Sequence, residues 1–433
     1  MATILDTELK KHIRDCYTRI LQKELKVATG CTEPISIAYC ASLAAKTLNA
    51  TVQRIEVACS GNIIKNSNAV TIPNTGGLRG IKAAVLAGAL YGDPAKELDI
   101  LADITVEQAQ KLVESLKTIP ITVSLLRSHH PLHIVVTCYS GSDNASAEVR
   151  DSHTHIVAIT RNESPVYSKR VQDELNHDAA EQDHSVMNIL DILRYSREVD
   201  IVDIDDVVSK QISCNSAIAE AGLSGKWGSQ VGRTLLEYGD CHDRAILSAK
   251  AAAGSDARMN GCPMPVVINS GSGNQGITAS LPVIERARQL DASGEMLLRA
   301  LALSNLLAIY QKTGIGRMSA YCGAVCAATG SAAGIAFLEG ATDYVIEQTI
   351  SNSISITGGV LCDGAKSSCA AKIAVAVNGA LLGYDLAKKE CSFLPGEGVV
   401  KRNVEETVSG IGRIASAGMQ ITDEVILDHI LSE

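Results

Sequence analysis

Cysteines that lie beside glycine are the first feature of this sequence that could do chemistry. Cys31 lies in the turn Gly30-Cys31-Thr32-Glu33-Pro34, Cys322 precedes a glycine, and Cys362 and Cys369 flank a glycine-containing loop. A neighbouring glycine lets backbone N–H groups approach the sulfur, which stabilises the thiolate that binds metals. The spacing matches neither a zinc ribbon nor a ferredoxin. On spacing alone, metal ligands and buried structural thiols both remain open.

The other cysteines among the thirteen in the chain need less explanation. An odd number of cysteines in a protein of a reducing compartment is not a disulfide framework. A free cysteine commonly behaves as a small buried hydrophobe. We expect this packing role for Cys16, Cys40, Cys59, Cys138, Cys214, Cys241 and Cys391.

A stretch rich in glycine and amides is the second candidate site. It follows the apolar run Pro265–Ile268 and precedes a helix predicted to be led by Pro282. Backbone N–H groups and side-chain amides in such a nest can bind a carboxylate. The stretch lacks the lysine of a Walker A loop, and no βαβ unit of a dinucleotide-binding fold surrounds it. Its Asn and Gln residues favour a binding site over a flexible surface loop. The predicted binding residues are Ser270, Gly271, Ser272, Gly273, Asn274 and Gln275.

Arg258, in the segment Asp256-Ala257-Arg258-Met259, is a further candidate for carboxylate binding. Its planar guanidinium group can hold a carboxylate through two parallel hydrogen bonds. An ordinary ion pair with Asp256 is the competing interpretation.

Two polar stretches in the N-terminal half are additional candidates. Ser60–Asn66 contains Lys65 and Asn66, and leads into a second Gly/Asn-rich turn at Ile72–Gly77. His153-Thr154-His155 lies at the start of a predicted strand, where a satisfied surface or sheet-edge histidine is the default interpretation.

Hydrophobic periodicity predicts the elements that position these residues. The predicted N-terminal helices are Leu5–Lys26, Ile35–Leu48, Leu78–Tyr91 and Val106–Leu116. The predicted strands are Arg54–Cys59, Ala69–Ile72, Ile121–Leu126, Ile134–Tyr139, Ala145–Val149 and Ile156–Thr160. After a polar connection at Val166–Asp183, helices are predicted at Val186–Arg197, Asp205–Ala221, Gly232–Ala253, Ile284–Leu290, Glu295–Lys312, Cys322–Phe337, Thr342–Ser353, Ala370–Lys388 and Thr422–Ile430. The predicted fold class is α+β, with N-terminal helices and an α+β sheet module in residues 1–185, followed by an all-α C-terminal domain in residues 186–433.

Composition narrows the class of protein. Of the 433 residues, 46% are hydrophobic and 20% are charged, which favours a well-buried globular protein of two or three domains. The formal net charge of −9, without a basic run, argues against a nucleic-acid partner. We identify neither an apolar stretch of membrane-span length nor a signal-type segment at the N-terminus. A cytoplasmic location without membrane association is therefore expected.

Taken together, these segments resemble the L-cysteine desulfidase family, which is related to the α-chain of bacterial iron–sulfur L-serine dehydratases. The resemblance extends over nearly the whole chain, and the motifs are specific as an ordered set but not singly. The set comprises Gly30-Cys31-Thr32-Glu33-Pro34, Lys65-Asn66 with Ile72-Pro73, Asp256-Ala257-Arg258-Met259, Ser270 to Gly276, Cys322-Gly323, and Cys362-Asp363-Gly364-Ala365-Lys366 with Cys369.

The resemblance implies a 4Fe–4S cluster with one open iron, and it assigns roles to particular residues. Matched residue by residue, the implied cluster ligands are Cys322, Cys362 and Cys369. The implied catalytic residues are Cys31, Lys65 and Asn66, and Arg258 and the nest are the implied substrate-binding residues. Whether Cys31 acts on substrate or ligates iron stays open. Cys326 has no counterpart in the ligand set and is expected to pack in the core.

The implied reaction is β-elimination from a small amino acid, in which a Lewis-acidic iron takes up the charge of the leaving group. Sulfur suits iron better than a hydroxyl does, which favours conversion of L-cysteine to pyruvate, ammonia and sulfide over deamination of L-serine. A pyridoxal phosphate route is not expected, because no phosphate-binding cup lies beside a lysine. A non-catalytic metal-binding regulatory protein is the alternative from another class, and the anion nests argue against it. Close relatives make a homodimer compatible with the resemblance.

Overall fold

The computed structural model describes residues 9–168, 184–239, 242–316 and 318–432. The α-helices in these ranges are α1 (Lys11–Glu24), α2 (Thr32–Leu48), α3 (Gly61–Ser67), α4 (Gly80–Tyr91), α5 (Val106–Thr118), α6 (Ile189–Glu198), α7 (Asp205–Ser224), α8 (Val231–Tyr238), α9 (His242–Met259), α10 (Gly273–Gln289), α11 (Gly294–Ile315), α12 (Gly323–Leu338), α13 (Asp343–Thr357), α14 (Cys369–Lys388), α15 (Val404–Arg413) and α16 (Gln420–Leu431). The strands are β1 (Val27–Thr29), β2 (Arg54–Cys59), β3 (Ile121–Leu125), β4 (His133–Ser140), β5 (Asp143–Arg150), β6 (Ile156–Arg161), β7 (Ser164–Ser168) and β8 (Pro265–Val267).

A six-stranded sheet with the order β3-β2-β4-β5-β6-β7 organises the N-terminal half. β2 runs parallel to β3, and every other neighbouring pair in this sheet is antiparallel. Side chains alternate between the two faces of a strand, so Val57, Val136 and Ala147 lie in register on one face. All three are buried, and α2 packs on β4 and β5. This contact fixes the start of α2, where Cys31 and Glu33 lie.

α12 is the central helix of the C-terminal half and packs against α10, α11, α13 and α14. Its sequence is almost entirely small residues, and nearly all of them are buried. At Gly330 an added side chain would collide with the backbone carbonyl of Ser304 in α11. Small residues therefore allow the close approach of these helix backbones, and the same packing fixes the position of Cys322 at the N-terminus of α12.

The N-terminal and C-terminal parts of the chain are in direct contact. β1 pairs with β8 in an antiparallel ribbon, α1 packs on α6 and α11, and α16 packs on α3. A division of the chain at residue 185 stays a prediction, because these contacts join the two parts.

The predicted α+β fold with a helical C-terminal region is confirmed, with differences in particular segments. Ala69–Ile72 is not a strand. Only Thr71 in it forms a bridge, to Arg79, because Ile72 and Gly80 donate backbone hydrogen bonds to Leu78 and Val70 and close a local loop instead. No helix was predicted at Ser60–Asn66, but Gly61–Ser67 forms helix α3.

Further differences concern where helices start and stop. The helix predicted at Gly232–Ala253 is two helices, α8 and α9, and α8 ends before Gly239. Pro282 lies inside α10 rather than at its start, because the glycine-rich stretch itself forms the first turn. β7 occupies the beginning of the predicted polar connection, and residues 169–183 of that connection lie outside the described residues. β8 and α15 were not predicted.

By length and composition alone, α14 would be long and apolar enough to cross a membrane. Half of its most apolar window is buried inside the protein, where it packs against α9, α12 and α13. Helices of a protein core have the same properties.

Candidate active site

A cavity of about 100 Å³ lies where the start of α2, the start of α10, the start of α12 and the segment before α14 meet. It is lined by most of the residues that the sequence singles out. The predicted site residues on its walls are Cys31, Asn66, Arg258, Ser272, Asn274, Gln275, Cys322, Cys362 and Cys369. Lys65, Ser270, Gly271 and Gly273 do not line it.

Cys322 and Cys362 are held together by the backbone. Tyr321 and Leu361 form an antiparallel bridge, in which the N–H of Cys322 donates to Val360 at 3.1 Å and the N–H of Cys362 donates to Ala320 at 2.7 Å. Cys322 caps the N-terminus of α12, and Cys369 is the first residue of α14. Helix N-termini favour negative charge, so two of the three thiols lie where a thiolate is stabilised.

The three thiols influence one another electrostatically. Burial, followed by repulsion from Cys362, raises the pKa of Cys322 to about 12, although the N–H of Ala324 opposes the shift. Burial also raises the pKa of Cys369, with Cys362 adding to the effect. A metal bound to these sulfurs would relieve both effects. Among the described residues, no three His, Cys, Asp or Glu side chains are grouped to hold a single metal ion.

Cys326 lies one turn into α12 and does not line the cavity. It is buried, and burial raises its pKa to about 11. Its position agrees with the expected packing role.

Lys65 clamps the loop that carries Cys362 instead of facing the cavity. Its ammonium group is buried, pairs with Asp423 of α16 and donates to the carbonyl oxygen of Cys362 at 3.3 Å. Gly364 in the same loop has a φ of 99°, and a side chain there would collide with the Lys65 carbonyl. These contacts favour a structural role for Lys65 over the catalytic role that the resemblance implies.

Cys31 and Glu33 form a hydrogen-bonded pair at the start of α2. The Sγ of Cys31 donates to Oε2 of Glu33 at 3.0 Å, and Nδ2 of Asn66 donates to Oε1 at 3.1 Å. Burial, reinforced by the charge of Glu33, holds the pKa of Cys31 well above its usual range. Burial alone would raise the pKa of Glu33, but His153 and the Cys31 thiol together hold it below its usual value. Cys31 is therefore a thiol at neutral pH, not the thiolate that the sequence suggests.

Arg258 enters the cavity past the N-terminus of α10. Gly273 makes room for it, since a side chain there would collide with Nε of Arg258. Nη1 of Arg258 donates to Oδ1 of Asn274 at 3.2 Å, while Nε is buried and has no hydrogen-bond partner among the described residues. Asp256 accepts from the N–H of Gly232 at 3.0 Å, so the structure rules out the alternative of an ion pair with Asp256.

The nest divides into a scaffold and a cavity wall. Ser270 adopts a φ of 49° and bonds to Asn269, and the carbonyl of Gly271 accepts from Thr32 at 2.8 Å, so this half supports the start of α2. Ser272, Asn274 and Gln275 line the cavity. Oε1 of Gln275 is buried without a hydrogen-bond partner in the described part of the chain.

Comparison with known proteins identifies the family. Residues 95–428 match the family described as serine dehydratase alpha chain. The chain belongs to this family. The match includes Arg258, the nest and the three cavity cysteines, whereas Cys31, Lys65 and Asn66 precede it. Membership of the serine dehydratase alpha chain family supports a related dehydratase or lyase role.

Relatives match nearly the whole length of this chain. The UPF0597 protein of Lachnoclostridium phytofermentans is 44% identical over 95% of this chain and 98% of its own length. The UPF0597 protein of Desulfitobacterium hafniense is 44% identical over 96% of both chains. The UPF0597 protein of Finegoldia magna is 41% identical over 96% of this chain and 99% of its own. These names state no activity.

Two residues on the cavity wall of this serine dehydratase alpha chain protein were not among the predicted site residues. Glu33 was noted only as part of a motif, although a carboxylate beside a cysteine in a tight turn was a usable signal. Lys312 of α11 is 5% exposed and makes no side-chain hydrogen bond or ion pair with the described residues. Burial lowers its pKa, although the thiols of Cys326 and Cys362 oppose the shift. The sequence feature that could have identified Lys312 is a single lysine in a long apolar helix.

Proposed function

We propose that the protein is an iron–sulfur-dependent carbon–sulfur lyase that acts on L-cysteine. L-Cysteine and water give pyruvate, ammonia and hydrogen sulfide. One observation carries the proposal. Three thiols line the same small cavity as a buried arginine and a buried amide oxygen, and among the described residues the arginine has no acidic partner and the amide oxygen has no donor. This combination suits a small molecule that bears both a carboxylate and a metal-binding group.

Cys322, Cys362 and Cys369 would hold the 4Fe–4S cluster. The donor set supports this assignment, because the three thiols line one cavity and two of them lie at helix N-termini, where a thiolate is favoured. When bound, the cluster supplies a Lewis-acidic iron that stabilises the charge of the leaving group.

Arg258 is the residue that we assign to the substrate α-carboxylate. It is 2% exposed, and burial of an unpaired cation is costly unless an anion is bound there. Asn274 orients the guanidinium group through the bond to Nη1. The N-terminus of α10 adds backbone N–H groups and a favourable helix dipole on the same side of the cavity.

Cys31 is assigned to proton transfer through its Sγ. Because its pKa is raised, it carries a proton at neutral pH, and it can deliver that proton to the departing sulfide. The positive charge of Arg258 then stabilises the thiolate that remains, because Arg258 lowers the pKa of Cys31. Asn66 and Glu33 keep the thiol in place.

L-Serine dehydration by the same residues is the second candidate, and the description of the matched family favours it. The two differ only in the leaving atom. The described cysteines are all free, which supports the additional proposal of a reducing, cytoplasmic location.

The test is anaerobic purification followed by measurement of iron, acid-labile sulfide and visible absorbance. Turnover of L-cysteine and L-serine would then be compared by pyruvate release. The proposal expects about four irons per chain, as a 4Fe–4S cluster requires, and a higher kcat/KM for L-cysteine. A higher kcat/KM for L-serine would reassign the substrate, and a colourless protein that retains zinc would overturn the cluster and the reaction together.

A further inference from the structure

We propose that Glu33 binds the α-ammonium group of the substrate and, opposite Arg258, makes the cavity selective for zwitterionic α-amino acids. This inference builds on the proposed function, since it concerns the same cavity. It adds a specificity-determining residue and excludes acids that lack the amino group as good ligands.

Neutral groups hold the Glu33 carboxylate in place. Its two oxygens accept from the thiol of Cys31 at 3.0 Å and from the amide of Asn66 at 3.1 Å. No Lys or Arg lies within ion-pair distance of Glu33 among the described residues. Neutral donors fix the direction of a carboxylate without cancelling its charge. Burial would raise the pKa of this carboxylate and His153 lowers it, but His153 does not line the cavity. The carboxylate can therefore still accept from a cationic group on the cavity side.

Arg258 supplies the opposite charge. Arg258 and Glu33 line the same cavity and influence each other electrostatically, yet they form no ion pair. Nη1 of Arg258 is taken by Asn274, and its buried Nε has no partner in the described part of the chain. Two opposite charges that are shielded from water and kept apart at a small cavity are costly to the protein alone. A small zwitterion between them would satisfy both.

The role of a general base is the competing assignment for Glu33. The thiol and amide hydrogen bonds favour the ionised carboxylate, which suits an acceptor for ammonium better than a group that must take up a proton. The two roles separate in kinetics. Loss of an ammonium contact raises KM, whereas loss of a base lowers kcat.

The test uses L-alanine and propanoate, which differ only in the α-ammonium group and have no leaving group. Calorimetric titration of the anaerobically purified full-length protein should give a tighter Kd for L-alanine, by roughly 30-fold or more. Equal affinities, including no measurable binding of either ligand, would overturn the proposal without any variant. This comparison does not depend on turnover. It therefore tests the role of Glu33 even if the proposed lyase activity is not found.

Variants then identify the residue. Glu33→Gln is nearly isosteric and should weaken L-alanine binding by roughly 30-fold or more while leaving propanoate binding unchanged. Arg258→Met is the matched control and should weaken both ligands. Equal weakening of both ligands in E33Q would indicate only a structural role and overturn the assignment. In turnover of L-cysteine, a fall in kcat at constant KM would make Glu33 a base instead.

Discussion

The ammonium group of Lys65 in α3 donates a hydrogen bond to the backbone carbonyl of Cys362, 3.3 Å away. The same group pairs with Asp423 of α16. One side chain thus joins the first helix after β2, the cysteine loop and the last helix described. A lysine that the resemblance assigns to catalysis is buried in contacts that hold the loop carrying Cys362.

Replacing Lys65 should therefore destabilise the fold near the cavity. Lys65→Met leaves Asp423 without its partner and the Cys362 carbonyl without a donor, which should lower the free energy of unfolding by about 2–3 kcal/mol. Lys96→Met is a suitable control, because the Lys96–Asp103 pair is far more exposed and should contribute much less to stability. Urea unfolding measures both. Equal effects of the two substitutions would contradict the buried clamp.

The three cavity cysteines should be required together. Alanine at Cys322, Cys362 or Cys369 should remove bound iron and turnover in parallel, because each thiol is one of three protein ligands in the proposed cluster site. Cys326→Ala removes a thiol from the same helix that does not line the cavity, and should retain iron. Full iron content in Cys369→Ala would remove that residue from the ligand set.

Substitution of Cys31 should separate turnover from cluster binding. Cys31→Ser keeps a hydrogen-bond donor to Glu33 but offers a much less acidic proton, so turnover should fall strongly while iron and colour remain. Iron analysis and pyruvate release on the same preparation measure this. If iron disappears in step with activity, Cys31 is a ligand and proton transfer must be assigned elsewhere.

Asn274 should affect substrate binding through Arg258. Asn274→Ala releases Nη1 of Arg258 and should weaken substrate binding by about 1–3 kcal/mol, seen as a higher KM. Asn378→Ala, at an exposed position of α14, is the control. Unchanged KM and kcat in Asn274→Ala would refute the carboxylate site.

Asp256 should produce a fall in stability with rising pH. Burial raises its pKa to about 6, from an ordinary value of 3.8. Between these values the folded state holds a proton that the unfolded state has released, so the free energy of unfolding falls as pH rises from about 4 to about 6. Asp256→Asn should lack this fall and be at least as stable as the wild type at pH 7. Asp206→Asn, at an exposed position of α7, should keep the fall, and a parallel fall in both variants would exclude Asp256 as its source.

Sequence reasoning recovered the parts of the site that depend on local pattern. β2 was predicted at its observed bounds because Ile55, Val57 and Cys59 alternate along the sequence. In the structure these three side chains are buried and those between them are less buried. The meeting of Cys322 with Cys362 depends on the Tyr321–Leu361 bridge, and no local pattern encodes that pairing. Here the resemblance to a family, rather than periodicity, supplied the connection.

Other features could not be predicted, because they depend on distant partners. The direction of the Lys65 side chain is set by Asp423, far along the chain. The protonation state of Cys31 depends on burial and on the carboxylate of Glu33. The glycine-rich stretch was expected to precede the helix, because glycine is a poor helix former. Gly273 and Gly276 instead lie in the first turn of α10, where Arg258 and the backbone of Val267 approach too closely for a side chain.

The antiparallel ribbon of β1 and β8 has a consequence for how the protein is made. Val27 pairs with Val267, and the cavity wall is complete only when Cys369 has joined Cys31. During synthesis the N-terminal segment emerges long before its partners, so its final contacts have high contact order and form late. If the proposed cluster is bound, its delivery must therefore follow emergence of α14 from the ribosome, and until then the thiols of the nascent chain stay open to oxidation.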